Sequence, residues 1–364
     1  MPMRRVLACA ACLLLHAAGA AAQDAILETA PEMPAARWTW FGDLQLRQEH
    51  TWRLPGARYA EPLTRTRSRG RVGMTYAPMP TLEFGAAIEL AAGSDSNRDN
   101  RLNNDNERSN GANLDQLFLR WQASERSSLL LGKARFPFEL SPLTWDRDLR
   151  PAGLSLDHSL ALGDFDRLQL TAGWFAGQHL YRDTSRIGAV QLAWRWHERA
   201  PTGAAVLLSW LDFSNLDRLT RNGLSRTNLR RGAELADAYR LLDLQLVGRT
   251  EFGAWPLEAR LDLLRNTGAD TDNEGARASV VLGDRWQPGR LEFGFAYQRV
   301  QRNAAMAAFN EDDWWFHSFS RGGMPWIGYG LAEHWSLRLA GFDERRDGVD
   351  EATRRVLLDL EARW

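Results

Sequence analysis

The last twelve residues, Thr353-Arg-Arg-Val-Leu-Leu-Asp-Leu-Glu-Ala-Arg-Trp364, constrain the fold more than any other stretch. Val356, Leu358, Leu360, Ala362 and Trp364 share one face at period two. Arg355, Asp359, Glu361 and Arg363 share the other, with Leu357 the only apolar exception. A strand that is oily on one face, charged on the other and ends on an indole suits a sheet with lipid on one side and water on the other. Inside a bilayer every backbone N–H and C=O needs a protein partner, so such a sheet must close on itself. The expected fold class is all-β: a single antiparallel transmembrane β-barrel of about sixteen strands, with short turns at one end and long loops at the other.

The rest of the chain repeats the pattern. Alternation gives sixteen candidate strands: 38–50, 64–77, 80–92, 113–123, 127–136, 153–162, 166–177, 186–198, 203–214, 237–252, 256–266, 276–286, 289–301, 314–331, 335–345 and 353–364. The 153–162 stretch is the weakest of these. Connections alternate in length. Ala77–Pro80, Ala123–Ser127, Gly163–Asp166, Gly253–Pro256, Gln287–Gly289 and Ala332–His334 are short, whereas 51–63, 93–112, 137–152, 178–185, 215–236, 267–275, 302–313 and 346–352 are longer. An outer-membrane barrel has short periplasmic turns and long external loops. The polar 93–112 segment is rich in Asp and Asn but matches no EF-hand spacing, and reads as a solvated external loop.

Residues 1–22 read as an export signal: Arg4 and Arg5, an apolar run from Val6 to Ala18, and a small-residue cleavage site at Ala20-Ala21-Ala22. Residues 23–36 then form a short periplasmic segment and 37–364 the barrel. Both cysteines, Cys9 and Cys12, fall within the signal, which excludes a disulfide scaffold and a cysteine metal site. Removing Arg4 and Arg5 lowers Lys+Arg from 45 to 43 against 46 Asp+Glu, so nothing supports nucleic-acid binding. Mean hydropathy is −0.42, which in an alternating barrel does not argue against a membrane. The sixteen tryptophans do argue for one. In the strand layout Trp38, Trp40, Trp121, Trp196, Trp255, Trp286, Trp335 and Trp364 fall at the periplasmic rim, and Trp210, Trp314 and Trp315 near the outer rim. Trp364 is also expected to be the terminus read by the barrel insertion machinery.

Two constellations could carry function. Arg65, Arg67, Arg69 and Arg71 line one face of one strand, roughly 7 Å apart. Lipid would penalise each by a few kcal/mol, so they are expected to line the lumen with Arg47. They form either an anion-attracting ladder or a wall balanced by Asp43, Glu49, Glu83 and Glu89. Lys133, the only lysine, is expected to share another inward face with Arg135. The stiff stretch that follows is expected to fold into the barrel as a constriction loop carrying Pro137, Phe138, Glu139, Trp145, Asp146, Asp148, Pro151 and Gly153. An external flap is the alternative.

The run Gly132-Lys-Ala-Arg-Phe-Pro-Phe, followed by Trp145-Asp-Arg-Asp-Leu-Arg-Pro-Ala-Gly153, resembles a marked block of a bacterial family of outer-membrane porins whose solute is generally unassigned. Glu311-Asp-Asp-Trp-Trp-Phe-His-Ser318 followed by Arg321-Gly is similar to that family's other block. The resemblance implies a porin-like barrel in a Gram-negative outer membrane but names no substrate. Many members carry an extra N-terminal segment before the barrel; none is expected here, where only the short 23–36 segment is read between signal and barrel. The seven histidines are scattered and match no hydrolase or nucleotide motif, so no catalysis, cofactor or metal is expected. His197 and His317 are the only conceivable catalytic positions, and a structural role is favoured for both. The expected function is passive diffusion of small hydrophilic solutes with anion bias. A non-conducting structural or adhesive barrel and a barrel hydrolase are the alternatives. Expected partners are outer-membrane lipid, lipopolysaccharide, the insertion machinery and, by analogy, two further copies in a homotrimer.

Overall fold

The computed structural model describes residues 37–54, 62–95, 110–177, 184–221 and 223–364. The export signal, the 23–36 segment and most of the 93–112 loop lie outside these residues. Sixteen strands close a barrel in which each pairs antiparallel with its chain neighbour. They are β1 (Arg37–Trp52), β2 (Leu63–Met79), β3 (Leu82–Gly93), β4 (Gly111–Ser124), β5 (Ser127–Lys133), β6 (Ala152–Leu162), β7 (Asp166–Ala176), β8 (Arg186–Trp196), β9 (Gly203–Ser214), β12 (Tyr239–Phe252), β13 (Trp255–Asn266), β14 (Glu274–Gly283), β15 (Leu291–Val300), β16 (Ser320–Ala332), β17 (Trp335–Arg346) and β18 (Ala352–Arg363). Between β9 and β12 a loop carries a short helix, α1 (Asp217–Arg221), and a small hairpin of β10 (Arg230–Arg231) and β11 (Glu234–Leu235). The weakest of the expected strands, β6, is regular along its whole length.

β18 closes the barrel on β1 in the register Asp43↔Arg363 to Trp52↔Arg354. Gly42 and Trp364 exchange backbone hydrogen bonds of 3.0 and 3.1 Å across the seam. A Cβ at Gly42 would lie 2.5 Å from the Trp364 ring, so the terminal indole rests in a notch that only glycine leaves open. Outward positions are apolar and exposed (Ile88, Leu117, Leu131, Leu154), and inward positions are polar and buried (Gln45, Arg47, Glu49, Asp359).

Two strand boundaries differ from expectation. β5 ends at Lys133 rather than at 136. Leu129, Leu130 and Leu131 in a row hide which face is which. The pairs Leu117↔Lys133 and Leu119↔Leu131 put Lys133 on the outward face, where its ammonium donates to the Leu114 carbonyl. Lys133 is therefore not a lumen residue. β16 begins at Ser320 rather than at 314. Trp314 and Trp315, placed at the outer rim by their sequence position, are 3% and 4% exposed and lie among the buried core residues.

The loops at the long-connection end fold inward. Residues 134–151 and 301–319 pack on each other and on the walls of β7, β8, β9, β12, β13 and β15 in one apolar core. Trp145 stacks on Phe136 at 4.1 Å and on Phe309 at 5.7 Å, and Phe309 stacks in turn on Phe213 at 5.3 Å. Asp146 N donates to Phe309 O at 2.7 Å and Glu311 N to Pro142 O at 3.1 Å, joining the two loops by backbone. The β9–β12 loop clasps the second of them. The Asn228 amide donates to the carbonyls of Arg302 and Ala305, both at 2.8 Å, and its oxygen accepts from Ala307 N.

Candidate functional site

The 134–151 loop crosses the lumen from wall to wall. On one side Glu139 meets Arg195 of β8 at 2.8 Å and Arg260 of β13 at 3.4 Å. On the other, Asp148 meets Arg69 at 2.7 Å and Arg71 at 2.9 Å, both on β2. Trp145 and Asp146 lie between these ties, with Pro137 and Phe138 just before the first and Pro151 just after the second. Gly153 does not: it is the second residue of β6, where a Cβ would collide with the Trp174 carbonyl of β7.

Arg65, Arg67 and Arg71 of the stripe are buried, and the stripe carries its own counter-charge. Glu49 holds Arg65 at 2.5 Å, Arg67 at 3.1 Å and Arg355 at 3.0 Å. Arg71 is paired with Glu89 at 2.9 Å. Arg47 bridges Asp359 and Asp313, each at 2.6 Å. Of the four carboxylates expected to oppose the stripe, Glu49 and Glu89 do so closely and Asp43 approaches Arg71 at 3.8 Å, whereas Glu83 pairs with Arg120. Arg65 and Arg355 are 1% exposed, so the loop end of this wall is packed rather than open. Trp315 N and Phe316 N donate to the Glu344 carboxylate, which pins the second loop to β17.

Towards the turn end the lumen opens into a cavity of about 800 Å³. Seven arginines line it (Arg69, Arg71, Arg135, Arg147, Arg150, Arg285 and Arg363) against three carboxylates, Asp43, Asp148 and Glu361. Arg135 and Arg147 are exposed and have no ion pair among the described residues. Burial, with Arg71 and Arg135 nearby, pushes Arg150 down to about 10. Below the stripe two aromatic rings lie against the wall. Phe41 lies over Gly73 and Phe118 over Gly85, where no Cβ would fit.

A second charged group joins the loops. Carboxylate oxygens of Asp146, Glu311 and Asp312 lie within 4.8 Å of one another. Burial raises the Asp146 carboxyl, with Glu311 as the next cause. Burial and then Asp313 push Glu311 up to about 8, so the group holds a proton near neutral pH.

Of the histidines, His317 is buried in the second loop between Asn310 and Arg226, and His197 is in the short β8–β9 turn. Trp38, Trp40, Trp121, Trp196, Trp335 and Trp364 are exposed at the short-turn end, with Trp255 and Trp286 partly so. The second inward loop was missed in sequence. Its signal was Ala304-Ala-Met-Ala-Ala-Phe309, an oily run where a solvated loop should be polar.

No family model and no curated protein matches the chain. Solved structures do. Pseudomonas putida OprB at high pH matches with a TM-score of 0.58 at 12% identity, over 90% of this chain and 93% of its own. OmpF of Salmonella typhi in complex with daunomycin gives 0.55 at 12%, over 90% and 97%. Vibrio cholerae OmpT, folded in vitro and in trimer form, gives 0.53 at 10%, over 91% and 100%. At these identities the likeness is one of architecture, and the chain has the sixteen-stranded fold of the porins.

Proposed function

We propose that this chain is an outer-membrane porin, a passive channel for small hydrophilic solutes that favours anions. The observation that carries the reading is the cavity lining of seven arginines against three carboxylates. A narrow aqueous space with low-dielectric walls focuses such a field, so local excess outweighs a net chain charge of −1. The preference is assigned to Arg135 and Arg147 rather than to the stripe as a whole, because the stripe is paired. The exposed tryptophans at the turn end fit a periplasmic interface girdle, with lipid and lipopolysaccharide around the barrel. A homotrimer is part of the same reading, on the model of the OmpT trimer form.

The packed loop end favours a second reading, a barrel closed to flow. Purified protein in a planar bilayer with a KCl gradient separates the two. A channel should conduct, with a reversal potential of anionic sign that shrinks in R135Q/R147Q and at high salt. Cation preference, or a potential unchanged by the double substitution, would remove the anion assignment. Absence of conductance would favour the closed barrel.

A further inference from the structure

The cavity combines an excess of arginines with aromatic side chains, and we propose that it binds organic anions with a flat apolar body, the class of aromatic carboxylates. The proposal rests on the anion-channel reading and deepens it. On the barrel wall, the rings of Phe41 and Phe118 cover Gly73 and Gly85 and line the cavity. Facing them, Phe138, Leu140 and Trp145 of the crossing loop line the same space. The Trp145 indole N–H is buried and has no acceptor among the described residues. Arg135 and Arg147 make no salt bridge among the described residues, although Glu311, Asp148, Glu361 and Asp313 lie near enough to Arg147 to raise it, so Arg135 is the cation with least compensation.

Each alternative solute leaves part of this lining unused. An inorganic anion would satisfy the guanidiniums but leave the apolar walls wet. A neutral aromatic would cover the walls but leave the cations to water. A cation would face the arginine excess. A planar carboxylate meets both, with bidentate guanidinium contacts at its head and ring contacts along its body. The cavity, at about 800 Å³, is within the range of small-molecule sites, roughly 300–1,000 Å³.

The test is isothermal calorimetry on the purified full-length barrel with benzoate, benzamide and acetate as probes, beside KCl conductance of the same preparation. Benzoate is expected to bind at least tenfold more tightly than either of the others and to reduce the KCl current. R135Q/R147Q should bring benzoate down to the level of benzamide, with heat-modified gel mobility showing that the variant is folded. Phe118→Leu should bring benzoate towards acetate. Equal affinity for benzoate and benzamide, equal affinity for benzoate and acetate, or no benzoate heat at all would overturn the proposal. Benzoate binding without conductance would leave the site standing and end the channel reading. Anion conductance without benzoate preference would do the reverse.

Discussion

Changing Glu49 to glutamine should loosen the loop end of the barrel. Its carboxylate is 1% exposed and receives three guanidiniums, Arg65 at 2.5 Å, Arg355 at 3.0 Å and Arg67 at 3.1 Å. At an effective dielectric of about 20, each contact near 3 Å has a gross attraction of roughly 5 kcal/mol. Desolvation offsets most of it, yet removing one partner of a buried cluster leaves the others uncompensated, at about 3–5 kcal/mol. Arg355 also donates to the carbonyls of Asp312 and Asp313, so the strain reaches the second inward loop. The measurement is the temperature at which the folded band is lost in a heat-modified gel, with single-channel conductance on the same protein. Glu83→Gln is the control, because its pair with Arg120 is half-exposed and contributes about 0–1 kcal/mol. E49Q should unfold at a clearly lower temperature and conduct more noisily. If E49Q and E83Q behave alike, the Glu49 cluster is not a stabilising centre.

Deleting residues 137–150 should raise single-channel conductance several-fold, because the wall-to-wall tie goes with them. Unchanged conductance would place the constriction at the Glu49 cluster instead. Glu311 gives a pH dependence. Its folded value of about 8 exceeds its ordinary 4.5, so the folded state holds the proton more tightly. Its contribution to loop docking is then full below about pH 4.5, falls between that and about 8, and is gone above. Protease resistance of the 301–319 loop should drop over that window in wild type and stay flat in E311Q; a flat wild-type profile would refute it. Gly42→Val should displace the Trp364 ring and destabilise the seam by about 1–3 kcal/mol, read as a lower heat-modification temperature.

The strands are legible in sequence because an apolar outer face and a polar inner face force a period of two. Where that contrast fails, so does the reading. Leu129-Leu130-Leu131 carries no parity, and Lys133 was assigned to the wrong face. Trp314-Trp315-Phe316 has the composition of a strand at a membrane interface but belongs to a loop buried in the barrel. Burial inside the lumen and exposure to lipid select the same side chains, so composition cannot tell them apart. The stripe of β2 was visible, but its cancellation was only half so. Glu49 and Glu89 come from neighbouring strands, whereas Asp148 reaches Arg69 and Arg71 from a loop some eighty residues away. The cavity itself, made by that crossing, had no local signature.

The core between the two inward loops has a consequence for how the molecule comes apart. In the outer-membrane reading proposed above, the outer surface of the barrel would have lipid as its solvent, where apolar contact gains nothing from expelling water and a closed ladder of backbone hydrogen bonds holds the wall. The stacked Phe136, Trp145, Phe309 and Phe213 are held by the opposite condition, the aversion of water for carbon. Urea weakens the second and barely touches the first. Moderate urea should therefore melt the interior and leave the wall standing, turning a narrowed cylinder into a wide one without opening the sheet.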